Sequence, residues 1–177
     1  MKTGKANVTP IVKSACFLAM VLCGLSSPLH AVEIAACAQL AENDESLGPE
    51  LPRWRFPVVK PEVMDGLARS NGGNPLVAIA DFDGDSKRDV ALLIQTRVGG
   101  MKIAVCLSSL PSKVLYISDL YCDDGIAATK KGTRYYDWES GKKGRYNRDG
   151  ISAYCWEQAG ATYLFEKGAF RRVIDSD

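Results

Sequence analysis

The stretch that most constrains this chain is Asp81-Phe82-Asp83-Gly84-Asp85-Ser86-Lys87-Arg88-Asp89. Carboxylates stand at its positions 1, 3, 5 and 9, with the apolar runs Leu76–Ala80 before it and Val90–Ile94 after it. Such runs read as strands, and because neither alternates, both are expected to be buried on two faces. The acidic stretch between them must then turn the chain, and Gly84 gives the backbone freedom to curl. Carboxylates at odd positions of a tight loop converge on one centre, where they repel each other. A hard cation with oxygen ligands relieves that repulsion, and calcium accepts about six to eight of them. The expected ligands are the side chains of Asp81, Asp83, Asp85 and Asp89 with the main-chain carbonyl of Lys87. Magnesium fits less well, since it takes fewer carboxylates in a rigid octahedron. The plain alternative is a solvated acidic turn that binds nothing. A catalytic carboxylate pair fits poorly, because the acids share one loop and do not face each other across a cleft.

The N-terminus reads as an export signal over residues 1–31, leaving 32–177 as a single calcium-binding, β-rich domain. Lys2, Lys5 and Lys13 make a basic start, Ala15–Leu25 is an apolar core, and Leu29-His30-Ala31 ends in a small residue. That core is too short for a membrane span, so the expectation is a periplasmic or secreted protein that is not transmembrane. Ile34-Ala35-Ala36-Cys37 looks like a lipidation box, but it lies beyond the apolar core with Glu33 between. Cleavage would remove His30, the chain's one histidine, and with it Ser-His-Asp catalysis and His-ligated metals. It would also take the formal net charge from +1 to −2, leaving no basic surplus for nucleic acid. Four cysteines remain, Cys37, Cys106, Cys122 and Cys155, an even count that reads as two disulfides in an exported chain. Three pairings are open; Cys37–Cys106 with Cys122–Cys155 is favoured. No CxxC pair is present to suggest a zinc ribbon or a redox motif.

The fold class expected is mainly β with an α+β character: an antiparallel meander of about seven strands with one or two short helices. Helices are expected at Val32–Leu40 and Glu62–Ala68. Pro49, Pro52, Pro57 and Pro61 forbid a long helix between them, and Trp54 with Phe56 suggests a short edge strand. Further strands are expected at Met101–Leu107 and Val114–Ile117. The similar stretches Asp124–Ala128 and Asp149–Ala153 each read as a turn into a strand, a weak hint of a repeat. Gly141–Asn147 reads as an exposed loop. Ala161–Glu166 and Ala169–Ile174 form a hairpin across Lys167-Gly168.

Ala80–Leu93 resembles the calcium-binding core of FG-GAP/VCBS-type repeats, which carry a D-x-D/N-G-D-G-x-x-D loop followed by an apolar strand. The resemblance implies calcium held between two strands. Ser86 stands where the repeats have Gly, and only one copy is present, so a multi-bladed propeller is not implied. From the loop to the C-terminal hairpin the chain also resembles small exported bacterial proteins with a single such loop. Some related calcium-loop proteins are periplasmic inhibitors or immunity proteins against secreted cell-wall hydrolases.

The functional expectation is therefore a non-enzymatic calcium-binding protein that engages a protein partner in the periplasm. The partner is expected to be a secreted toxin or hydrolase. Arg134, Tyr135, Tyr136 and Trp138 are the candidate partner-binding residues, since Tyr, Trp and Arg are enriched at interface hot spots. Burial of these aromatics in a sheet is the competing reading. A structural envelope protein and a carboxylate-dependent hydrolase of cell-wall glycan are the alternatives in function.

Overall fold

The computed structural model describes residues 28–44, 54–69, 73–97, 100–155 and 160–175. Residues 1–27 of the expected signal, and the expected turn residues 71, 72, 98 and 99, lie outside the described residues.

Two helices form. Helix α1 spans Pro28–Asn43. It is longer than the Val32–Leu40 expected, and it runs through the Ala31–Val32 junction. Ile34, Cys37, Ala38 and Ala41 fall at i, i+3, i+4 and i+7 and are all buried, so one stripe docks the helix. Helix α2 spans Pro61–Arg69. Pro61 at its start has the backbone angle a first turn needs, and Glu62 lies in that turn, facing the positive helix end.

Eleven strands form among the described residues: β1 Trp54–Arg55, β2 Val77–Ala80, β3 Asp89–Thr96, β4 Met101–Cys106, β5 Val114–Ile117, β6 Gly125–Thr129, β7 Arg134–Asp137, β8 Lys142–Arg145, β9 Gly150–Tyr154, β10 Gly160–Glu166 and β11 Ala169–Asp175. They build two antiparallel sheets, and the single meander expected from the sequence is corrected accordingly. The first sheet has the order β1-β3-β4-β5, with β2 also paired to β3; the second has the order β6-β9-β10-β11-β7-β8. The similar Asp124 and Asp149 stretches lead into β6 and β9, which pair directly, Gly125 opposite Tyr154.

Register assigns the faces. Val90, Leu92 and Ile94 share a face with Ala104, Cys106 and Tyr116, and this is the face α1 covers, since Cys37 bonds to Cys106. Ala91, Leu93, Ile103, Val105, Leu115 and Ile117 point the other way, toward Ile126, Ile151, Ala161 and Tyr163 of the second sheet. The core is thus three layers: helix, sheet, sheet. Six successive residues of β3, Asp89–Ile94, are buried, as its unbroken apolar run led one to expect. Its neighbour β2 alternates between half-buried and buried residues, so the expectation of two covered faces fails there. It is an edge strand, and one face has no complete layer over it.

Gly141–Asn147 is not a loop: Lys142–Arg145 pairs with β7 as β8. Its polarity hid it, because its side chains are largely exposed and its centre is Gly144. A Cβ at Gly144 would stand 2.8 Å from the Tyr135 hydroxyl, so the glycine lets that ring cross the strand. The C-terminal hairpin forms as read, with Phe165 opposite Phe170 and Lys167-Gly168 in the turn.

Two disulfides pair as favoured, Cys37–Cys106 with Cα atoms 5.7 Å apart and Cys122–Cys155 with 5.0 Å. They fit an oxidising compartment. Among the described residues no helix is long and apolar enough to cross a membrane.

Candidate metal centre

The acidic loop joins β2 to β3, as the flanking apolar runs require. Phe82, its second residue, is 0 % exposed and anchors the loop in the core. Gly84 has φ 86° and Ser86 φ 67°. The curl therefore uses the left-handed region twice, once at a glycine suited to it and once at a serine.

Carboxylate oxygens of Asp81, Asp83 and Asp89 lie within 4.8 Å of one another. Each also gathers donors. Asp81 accepts the N–H groups of Gly84 at 2.7 Å and Ser86 at 2.9 Å. Asp83 accepts the N–H of Asp85 at 3.1 Å and, on its other oxygen, the Ser109 hydroxyl. Asp89 is 1 % exposed and accepts three N–H groups, from Phe82 at 2.7 Å, Asp83 at 3.3 Å and Ser108 at 2.7 Å. Burial pushes the Asp89 carboxyl above its ordinary range and the Asp83 charge adds to this, while the three N–H bonds oppose it.

Asp85, also an expected ligand, is not in this trio. Asp85 is turned to Ser108, whose hydroxyl donates to it at 2.8 Å and holds its carboxyl below the usual range, helped by the Lys87 N–H. The Lys87 ammonium reaches the same carboxylate at 4.0 Å, with 72 % of the side chain exposed.

The loop is braced by residues distant in sequence. Ser108 and Ser109 follow β4 and reach it across the first sheet. From the second sheet, Arg148 donates to the Asp83 carbonyl at 3.4 Å and to the Phe165 carbonyl at 2.5 Å. The Asp149 carboxylate faces the Asp81 main chain and accepts the Lys131 N–H at 2.8 Å and the Lys130 ammonium at 3.0 Å. Burial works against ionised Asp149, but these donors together hold its carboxyl below the usual range. Nothing local in the sequence marks three of these four residues. Asp149 alone carries a sequence signal, as a turn residue. At the opposite side of the loop, Arg88 meets His30 of α1 at 2.8 Å and Glu33 at 3.5 Å.

The donor set suits a hard cation. Every group in the trio is oxygen, and an ionised carboxylate offers about four acceptor sites. The bonds given above use two on Asp81, two on Asp83 and three on Asp89, so lone pairs remain on each.

The expected partner-binding residues do not form one patch. Tyr135 points to the outer face of the second sheet, stacked on Tyr146 with centroids 4.7 Å apart. Arg134 and Tyr136 lie on the opposite face. Tyr136 meets Trp138 edge-on at 4.8 Å, and the Lys143 ammonium lies 5.7 Å over the Tyr136 ring. Trp138 is 60 % exposed.

The chain matches no family model, no curated protein and no solved structure.

Proposed function

We propose that this is an exported, non-enzymatic protein whose calcium-braced β scaffold presents a surface to a protein partner. It would act as an inhibitor or immunity protein does against a secreted toxin or cell-wall hydrolase. The observation that carries the reading is the position of the carboxylate trio. Asp81, Asp83 and Asp89 converge at the seam where both sheets grip one loop. A cation there would stiffen helix, sheet and sheet together and lower the ordering cost of binding. Calcium is the cation favoured by an all-oxygen, multi-carboxylate set. The exposed Trp138 with Tyr136 beneath it supports a partner surface, and the two disulfides support export.

The test is the melting temperature of the oxidised protein in calcium and in chelator. At a hundredfold excess over its dissociation constant, calcium adds about 2.7 kcal/mol of stability. Asp83→Asn removes one charge from the trio and should abolish most of the calcium-dependent shift. Identical melting in calcium and chelator overturns the metal part of the reading. Reproducible hydrolysis of a cell-wall glycan that Asp83→Asn abolishes overturns the non-enzymatic part.

A further inference from the structure

Strands β7 and β8 form an arm of the second sheet. β7 joins β11 at one register pair, Asp137 opposite Asp175, and neither strand of the arm contributes to the main core. Register divides the arm's side chains between two faces. Tyr135, Asp137, Lys142 and Gly144 share one, where Tyr135 packs on Tyr146. Arg134, Tyr136, Lys143 and Arg145 share the other, and Trp138 follows against Tyr136. This second face carries three cations and no acid, in a chain whose 22 Lys and Arg nearly balance its 21 Asp and Glu. Arg134, Lys143, Arg145 and Trp138 are all exposed. Glu139, next along the chain, is held by Arg172 at 2.9 Å.

Nothing in the fold gains from this arrangement. Arg134 stands directly opposite Arg145, and like charges across a strand pair destabilise it. Arg145 donates to the Gly132 carbonyl at 2.7 Å, and the Lys143 ammonium lies 5.7 Å over the Tyr136 ring. Among the described residues none of the three cations is ion-paired. Lysines on an edge strand also deter pairing with a foreign sheet. That role suits β8, but it accounts neither for Arg134, on the strand inside it, nor for the aromatic pair.

We infer that this face binds an acidic segment of a protein partner, with carboxylates at Arg134 and Arg145 and apolar side chains against Trp138. The inference rests on the reading of the chain as a protein-binding scaffold and names the chemistry of the partner. Guanidinium forks hold carboxylates by paired hydrogen bonds, and Trp, Tyr and Arg are the residues of interface hot spots. Lys143 lies over a face of Tyr136 and Trp138 meets that ring edge-on, so the two rings form no continuous platform on which sugars or bases could stack. This favours a protein over a glycan or a nucleic acid.

The probe is a capped octapeptide of alternating glutamate and alanine, titrated into the full oxidised chain and followed by amide chemical shifts. The expected shifts cluster at Arg134–Trp138 and Lys142–Arg145, and a glutamine counterpart binds at least about fivefold more weakly. Arg134→Glu, at an exposed side chain, should weaken the glutamate peptide about fivefold and favour a lysine counterpart. Equal binding of the glutamate and glutamine peptides overturns the proposal. Shifts confined to another surface overturn it too, while leaving a protein-binding scaffold standing. Polyglucuronate or phosphatidylglycerol vesicles that bind at these residues when the peptide does not overturn it and remove the protein partner with it. Binding of no probe overturns it, and the calcium melting test judges the scaffold separately. Self-association of the Arg134→Glu chain with unchanged peptide affinity assigns the cations to edge protection and also overturns it.

Discussion

The centre of the first sheet is covered on both faces, by α1 and by the second sheet, whereas the second sheet covers its outer face with its own side chains. The difference shows in composition. β3 carries six buried residues in succession. The outer face of the second sheet holds a small apolar cluster of Tyr146, Leu164 and Val173, and beside it a chain of polar groups. Thr129 and Ser152 share a hydrogen bond, Ser152 meets Thr162 at 2.9 Å, and Thr162 donates to Asp175 at 2.9 Å. Tyr146 also donates to Asp175, and burial, with that carboxylate beside it, pushes the Tyr146 hydroxyl well above its ordinary range. Thr162 is 0 % exposed, so its hydroxyl needs these partners. Of the two fully buried polar residues among the described ones, Thr162 in the second sheet is held by neighbouring hydroxyl and carboxylate groups, and Asp89 in the first is held by three main-chain N–H groups.

If that contrast sets stability, matched truncations should separate the two sheets. Leu93→Ala opens a cavity between two complete layers that cannot collapse, and should cost about 4–5 kcal/mol. Leu164→Ala, under the thinner cover, should cost about 2–3 kcal/mol. Urea unfolding followed by tryptophan fluorescence checks this. Equal costs would mean that the outer cluster is as tightly layered as the centre.

Each disulfide also serves a different region. Cys37–Cys106 ties α1 to β4 across 69 residues, and Cys122–Cys155 joins the segment before β6 to the end of β9 across 33. Chain entropy gives about 4 kcal/mol for the first and about 0.6 kcal/mol less for the second. The second also bridges strands already held by their own ladder, so its paired Cys→Ala variant should lose less than the first. Calorimetry of the two double variants measures the gap.

The same contrast explains what was legible in the sequence. Strands of the buried sheet announced themselves as apolar runs, and the C-terminal hairpin by its β-branched and aromatic residues around a glycine. The acidic loop was readable because its spacing is local. What stayed hidden was non-local or polar. β8 is Lys-Lys-Gly-Arg, a pattern that signals solvent, and it is a strand because β7 offers it an edge. The assignment of β1–β5 and β6–β11 to separate sheets follows from how runs pair, which no single run encodes. In the loop, the odd-numbered acids predicted convergence; three of them meet, and the fourth, Asp85, accepts the hydroxyl of Ser108, which lies far along the chain. Tyr135 and Tyr136 looked like one patch, yet successive strand residues face opposite ways.

The second sheet's polar interior should make it the alkali-sensitive region. Burial, with Asp124 nearby, pushes the Tyr154 hydroxyl from 10.0 up to about 12. The unfolded tyrosine ionises first, so the neutral buried form contributes fully below pH 10, and that contribution is lost as pH rises through 12. The hydroxyl has no hydrogen-bond partner among the described residues. Tyr154→Phe should therefore match the parent at neutral pH within about 1 kcal/mol and lose less stability between pH 10 and 12. Melting temperatures across that range test it, and parallel curves for both proteins would remove Tyr154 as the cause.

The smallest stability effect is expected where the second sheet reaches solvent, and it separates scaffold from surface. Trp138 is 60 % exposed, so Trp138→Ala should change folding stability by no more than about 0.5 kcal/mol. Tyr136, half-buried and in contact with both Trp138 and Lys143, should cost more when truncated. An exposed tryptophan contributes little to a fold. If Trp138→Ala lowered the melting temperature as much as Leu164→Ala, the ring would belong to the scaffold, and the case for a partner surface on β7 would fall with it.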